Sequence, residues 1–275
     1  MKKNALLLTF AALFILSSTL YSQQITIGAK GGLSIPNLTG GNSSVNPLND
    51  GYSSRLGADG GIYGEYHVTR PFSISVGLEY SSQGGLKNKF QAYPTPATVA
   101  PLFAPYPAPT YLYADFKSEA KMDYMLIPVL ARYTWKINKK SPVKIYAALG
   151  PFAGFLLDAK QVTSGSSTIS MMNTDGKTFT KLVIPPGTTP QPVSFAATTN
   201  IKNQLYTFNA GLNGFVGISY RLNKKSVIFI EGGGNYGFLT IQKGTANGKN
   251  YTGAGVVTFG YAYTIPGKHR YTQSR

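Results

Sequence analysis

Two histidines, ten carboxylates and no cysteine are the stock from which this 275-residue chain could build acid–base, nucleophilic or metal chemistry. His67 and His269 lie far apart without a carboxylate pattern around them, so they do not form a zinc site. His67 falls at a strand end and reads as an ordinary hydrogen-bonded residue rather than a general base. The sequence holds no Gly-x-Ser-x-Gly elbow and no phosphate-cradling glycine loop. Its glycine clusters, at Gly31, Gly32, Gly60, Gly61 and Gly232 to Gly234, sit inside strand patterns, where they permit bends and close packing. Asp115, Glu119 and Asp123 are interspersed with Lys117 and Lys121 and read as a solvated face. The expectation is a protein that is not an enzyme, with no catalytic, metal-binding or cofactor-binding residue and no cofactor.

What remains is a set of charges at the polar positions of otherwise apolar segments: Lys30, Asp59, Glu65, Glu79, Arg132, Lys144, Arg221 and Glu231. Four acids and four bases turned toward one interior should form ion pairs, because an unpaired buried charge is costly.

The element that positions them is clearest at Phe72 to Ser82. Phe72, Ile74, Val76, Leu78 and Tyr80 alternate with Ser73, Ser75, Gly77, Glu79 and Ser81, a period of two with one apolar and one polar face. The pattern recurs at Ile25 to Leu38, Arg55 to Val68, Ala120 to Trp135, Val143 to Leu157, Gln204 to Tyr220, Val227 to Ile241 and Tyr251 to Ile265. Links after the first, third, fifth and seventh strands are long, and the others are short. An even strand count with alternating short turns and long loops predicts an eight-stranded antiparallel up-and-down transmembrane β-barrel. Aromatics at the strand ends form two girdles, one from Phe72, Trp135, Tyr220, Tyr261 and Tyr263, the other from Tyr80, Phe155, Tyr206 and Phe238. A pairing of the segment 179–199 would raise the count to ten.

Composition agrees. Only 13% of residues are charged, about half the usual share for a globular domain, roughly 25%. Residues 1–22 read as a signal peptide: Lys2 and Lys3, then an apolar run from Ala5 to Leu16 too short to span a bilayer. The barrel is placed at 23–265 and a polar tail at 266–275. The net charge of +16 resides mainly in turns and loops, which excludes a nucleic-acid groove and favours attraction to outer-membrane lipid and lipopolysaccharide.

Two segments stand out as loops. Residues 83–117 carry six prolines among Tyr93, Phe103, Tyr106, Tyr111 and Tyr113, and prolines are excluded from central sheet positions. Residues 158–203 are rich in Ser, Thr and Pro, with Phe179 to Ile184 able to extend a hairpin. These loops, and the five aromatics above, are the expected contact surface for an extracellular or envelope protein.

The strands also resemble the PorT-like outer-membrane β-barrel family of Gram-negative bacteria. The resemblance lies in Ile27-Gly-Ala-Lys-Gly-Gly-Leu33, Tyr124-Met-Leu-Ile-Pro-Val-Leu130, Ala148-Leu-Gly-Pro-Phe-Ala-Gly154 and Val257-Thr-Phe-Gly-Tyr261. It implies an exported barrel in the outer membrane, without shared catalytic residues; the founding member is associated with protein secretion. The basic tail and the two long loops depart from the family pattern. Three functions follow as expectations: a surface-binding or envelope-structural barrel, a small-solute channel, and a secreted lipocalin-like barrel with the apolar face inward.

Overall fold

The computed structural model describes residues 24–41, 46–138, 141–183, 189–244 and 248–265. The proposed signal peptide and the tail from 266 onward lie outside the described residues. Eight long strands form the wall: β1 (Ile25–Gly41), β2 (Gly57–His67), β3 (Phe72–Pro94), β4 (Tyr111–Lys136), β5 (Val143–Ser164), β6 (Phe208–Arg221), β7 (Ser226–Gly237) and β8 (Lys249–Ile265). Each pairs antiparallel with its neighbours in sequence, and β8 returns to β1 over Ile25↔Ile265 through Gly41↔Lys249. The ring is closed, so no edge is left unpaired.

The pleat decides which face meets what. Ile27, Ile62, Val76, Leu78, Val129, Leu149, Val216, Ile230 and Phe259 are exposed on the outer wall. Thr26, Asp59, Glu65, Ser75, Glu79, Asn213, Glu231 and Thr258 are buried inside it. A lipocalin-like barrel requires the reverse, and this arrangement overturns that alternative. Apolar side chains face outward because the surrounding solvent is hydrocarbon.

The upper ends depart from expectation. Residues 83–117 are not one proline-rich loop: β3 and β4 stay paired from Ser82↔Asp123 to Pro94↔Tyr111, leaving only 95–110 as the connection. The prolines crowd into 94–109, while 83–93 and 111–119 keep their backbone donors and continue the ladder. β3 and β4 have 23 and 26 residues, against 11 in β2 and 12 in β7. At about 3.4 Å per residue, the extra length is a ribbon standing well clear of the barrel.

The segment 158–203 is likewise not a plain loop. β5 runs on to Ser164, Ala197–Asn200 pairs with that extension, and Ser170–Met172 pairs with Phe179–Lys181. Ser170 also pairs with Tyr113, joining the hairpin to β4. None of these short strands enters the ring, which keeps eight members.

Candidate functional site

Five of the eight charges singled out in the sequence meet in the lower lumen. Lys30 Nζ lies 2.8 Å from Glu79 Oε1 and 2.8 Å from Glu231 Oε1. Arg132 Nη1 is 2.6 Å from Glu65 Oε2, and its Nη2 is 3.7 Å from Glu231 Oε2. Tyr146 and Thr258 donate their hydroxyls to Glu231 at 2.9 and 3.2 Å, and Ser73 donates to Glu65. Glu231 thus joins two cations that sit on different strands. The register explains the convergence: Glu231 pairs with Thr258 and Gly217, and Gly217 in turn pairs with Tyr146.

The other three charges stand apart. Asp59 is buried higher in the lumen with Oδ1 unbonded among the described residues. Lys144 and Arg221 lie at the turn end of the barrel and reach no carboxylate within 4.0 Å among the described residues. His67 shares a 3.0 Å hydrogen bond with Thr26 at the same mouth.

Aromatic rings seal the network. Tyr63, Tyr146 and Phe229 pack beside it, with Phe229 making edge contacts to both tyrosines at 6.1 and 6.5 Å. Arg132 lies 3.9 Å from the centre of the Tyr146 ring and Lys30 4.3 Å from that of Phe215, distances at which the ring face attracts a cation. Two glycines make room for these rings. A Cβ on Gly217 would come within 2.3 Å of the Tyr146 ring, and one on Gly260 within 2.2 Å of Phe229. The residual cavity among the ions is about 20 Å³, roughly the room one water needs.

The upper half of the lumen has a different character. Leu38, Met122, Tyr124, Leu126, Phe152, Leu156, Leu205 and Ile241 form a buried apolar cluster. The sequence reading missed it, although both faces of β4 are apolar from Tyr124 to Leu130. Above the cluster is a cavity of about 240 Å³ bordered by Tyr52, Lys87, Gln91 and Phe116.

Outside, the aromatics proposed for the interfaces are largely exposed: Tyr80, Trp135, Phe155, Tyr206, Tyr220, Phe238 and Tyr261. Phe72 and Tyr263 are half-buried against their neighbours. Tyr66, Tyr133, Phe208 and Tyr236 are exposed near the same levels, though the sequence placed them in neither girdle.

The proposed loop aromatics divide. Tyr113 is buried and packs with Phe90 and Phe179 at 5.9 and 4.8 Å, while Phe90 and Phe179 meet edge-on at 4.9 Å. On the opposite face of the ribbon, Tyr93, Phe116 and Phe195 form a second triad, with Phe116 and Phe195 stacked at 4.5 Å. Tyr111 is half-buried against Leu48 and Ala92. These rings clamp the 158–203 segment onto the β3–β4 ribbon, so they are not the free surface expected of them. Phe103 closes a short 3-10 turn, Ala100–Phe103, and is half-buried. Tyr106, at 78% exposure, is the ring that stands free at the tip, with Leu102 beside it.

The charges on β4 and β5 of the ribbon are balanced locally. Lys117 and Lys121 lie 2.8 and 3.1 Å from Glu119, and these hydrogen bonds, Lys117 first, hold its carboxyl below the usual carboxylate range. Lys160 pairs with Asp158 at 2.8 Å. Among the described residues no cluster of His, Asp and Glu has the spacing to hold a metal ion.

The chain belongs to the outer membrane protein beta-barrel domain family, whose family model matches residues 21–242. Similar solved structures include Neisserial surface protein A, at 14% identity and TM-score 0.38 over 88% of this chain and 97% of the other. They also include Ail, the attachment invasion locus protein of Yersinia pestis, at 11% identity and TM-score 0.35 over 87% and 98%. OprG of Pseudomonas aeruginosa follows at 12% identity and TM-score 0.36 over 89% and 96%. No curated protein matches the chain. Membership places the chain in the outer membrane as a strand-spanning barrel.

Proposed function

Starting from an outer-membrane barrel of this family, we propose that the protein is a non-conducting, non-enzymatic surface scaffold whose β3–β4 ribbon presents its tip to an extracellular or envelope protein. The observation that carries the reading is the length of β3 and β4 beyond the ring, braced on both faces by aromatic triads. A long ribbon held rigid by packing loses less conformational freedom when it binds than a mobile loop does. The tip itself, 95–110, exposes Tyr106 and Leu102, and tyrosine is a residue type enriched at binding hot spots.

The channel alternative is disfavoured by the lower lumen. Eight strands leave an interior just wide enough for side chains to fill, and here the filling is by paired ions with about 20 Å³ left over. Within the broad family, the PorT-like motifs quoted above favour the PorT-like group, and an envelope role linked to secretion belongs to this same proposal.

The test compares cells displaying the full chain with cells in which 95–110 is replaced by a short Gly-Ser turn. Both should show equal amounts of the heat-modifiable barrel, and the tip-deleted cells should lose attachment to neighbouring cells and surfaces. Equal attachment by both would overturn the reading. Stepwise single-channel conductance from the purified barrel in planar bilayers would overturn its non-conducting part.

A further inference from the structure

We propose that the chamber at the extracellular mouth is a binding site for a small amphipathic anion, a carboxylate on an apolar body, with the Lys87 ammonium as the partner of the carboxylate. The site is distinct from the ribbon tip, and neither proposal depends on the other.

The chamber has about 240 Å³ of space, somewhat below the roughly 300–1,000 Å³ usual for small-molecule sites. Leu38, Leu48, Met122, Leu205 and Ile241 give it an apolar side, while Gln91, Gln161, Gln204, Gln242 and Ser118 give it a polar one. A pocket with apolar walls and a few placed polar groups is the common design of a site that orients an amphiphile.

Among the described residues, Lys87 is the one charged residue that lines it. It is only 4% exposed. Its ammonium donates to the Leu48 carbonyl and lies 4.4 Å from the centre of the Tyr52 ring. Among the described residues no carboxylate comes within 4.0 Å of it. An ammonium carries three donors, so one carbonyl leaves most of its capacity unused. Burial pushes its pKa down to about 8, opposed by the charge of Asp50 and reinforced by that of Lys89. A neutral glutamine, of which Gln91 and Gln161 are examples lining the same chamber, would serve the Leu48 carbonyl without the cost of a buried charge. A cation kept at this partly apolar cavity, with no carboxylate in contact and only the more distant charge of Asp50 to favour it, is accounted for by an anion arriving from solution.

The test uses the full chain refolded in detergent micelles near pH 7, titrated calorimetrically with octanoate and with octanol, each corrected against protein-free micelles. Octanoate should bind saturably at one site, and octanol, with the same chain and no charge, at least tenfold more weakly. Lys87→Met should weaken octanoate at least tenfold and leave octanol unchanged, while Lys87→Arg should retain octanoate binding. Ala120→Trp, which fills the chamber without touching the charge, should abolish binding. Equal binding of octanoate and octanol, full octanoate binding by Lys87→Met, or no saturable octanoate binding would each overturn the proposal. Because the octanoate–octanol comparison is made on the unaltered protein, a variant that fails to fold does not remove the test.

Discussion

Lys30 and Lys87 both have buried side chains in one barrel, yet they are built into opposite surroundings. Lys30 lies between two carboxylates, and those carboxylates are held by further donors. Lys87 has a carbonyl, an aromatic ring and a partly apolar cavity. The lower lumen therefore closes its electrostatics internally, as a structural element must. The upper chamber leaves a charge to be completed from outside. The difference shows that burial of a charge does not by itself reveal its purpose; the balance of partners around it does.

The comparison is broken most severely at Lys30. Lys30→Met leaves Glu79 and Glu231 facing each other without their shared cation, and breaking a buried pair costs about 3–5 kcal/mol. Urea unfolding in micelles should show that loss, and Glu79→Gln added to the same chain should recover part of it. Recovery of nothing would mean that the network is not coupled through Lys30.

The next effect separates inside from outside. Ile230 faces lipid beside the lumenal Glu231, and Ile230→Arg should cost roughly 2–4 kcal/mol near the midplane of the bilayer. Folding titrations into vesicles would show it, and an unchanged stability would contradict the outward assignment of the apolar face.

A smaller effect is expected from filling space. Gly260→Leu would force side-chain atoms into the Phe229 ring and should destabilise by about 1–3 kcal/mol through overpacking. Restoration by a second change, Phe229→Ala, would show that the cost is steric.

The smallest effect sharpens the contrast directly. Lys87→Met removes one charge-assisted hydrogen bond, worth about 1.5–3 kcal/mol, and also removes a buried charge, which offsets part of that, so unfolding should shift by less than about 2 kcal/mol in either direction. A loss as large as that of Lys30→Met would show the two lysines to be equivalent structural ions.

How much of this was legible beforehand varies by residue. Glu79 and Glu231 were assigned to the lumenal face from alternation alone, and both face inward. Their union through Lys30 was not legible, because pairing across the lumen depends on strand stagger around the ring, which no local pattern carries. The aromatics Tyr93 and Tyr113 looked like an exposed recognition surface because the prolines near them suggested a loop. Their burial by Phe195 and Phe179 is a long-range contact between two segments that each read as linkers. Tyr124, Leu126 and Phe152 were hidden for another reason. An apolar side chain inside an otherwise polar lumen violates the simple in–out rule, and only neighbours of like kind on other strands make it stable.

The sequence by itself determined the strand period, which residues share the apolar face of each strand and the short–long alternation that makes a closed up-and-down ring possible. Those are local consequences of backbone geometry and of hydrocarbon as the outer solvent. Only the tertiary structure decided that Lys30 is paired and Lys87 is not. Ion pairing depends on distances of a few ångströms between strands far apart in sequence, and those distances are set by closure of the ring.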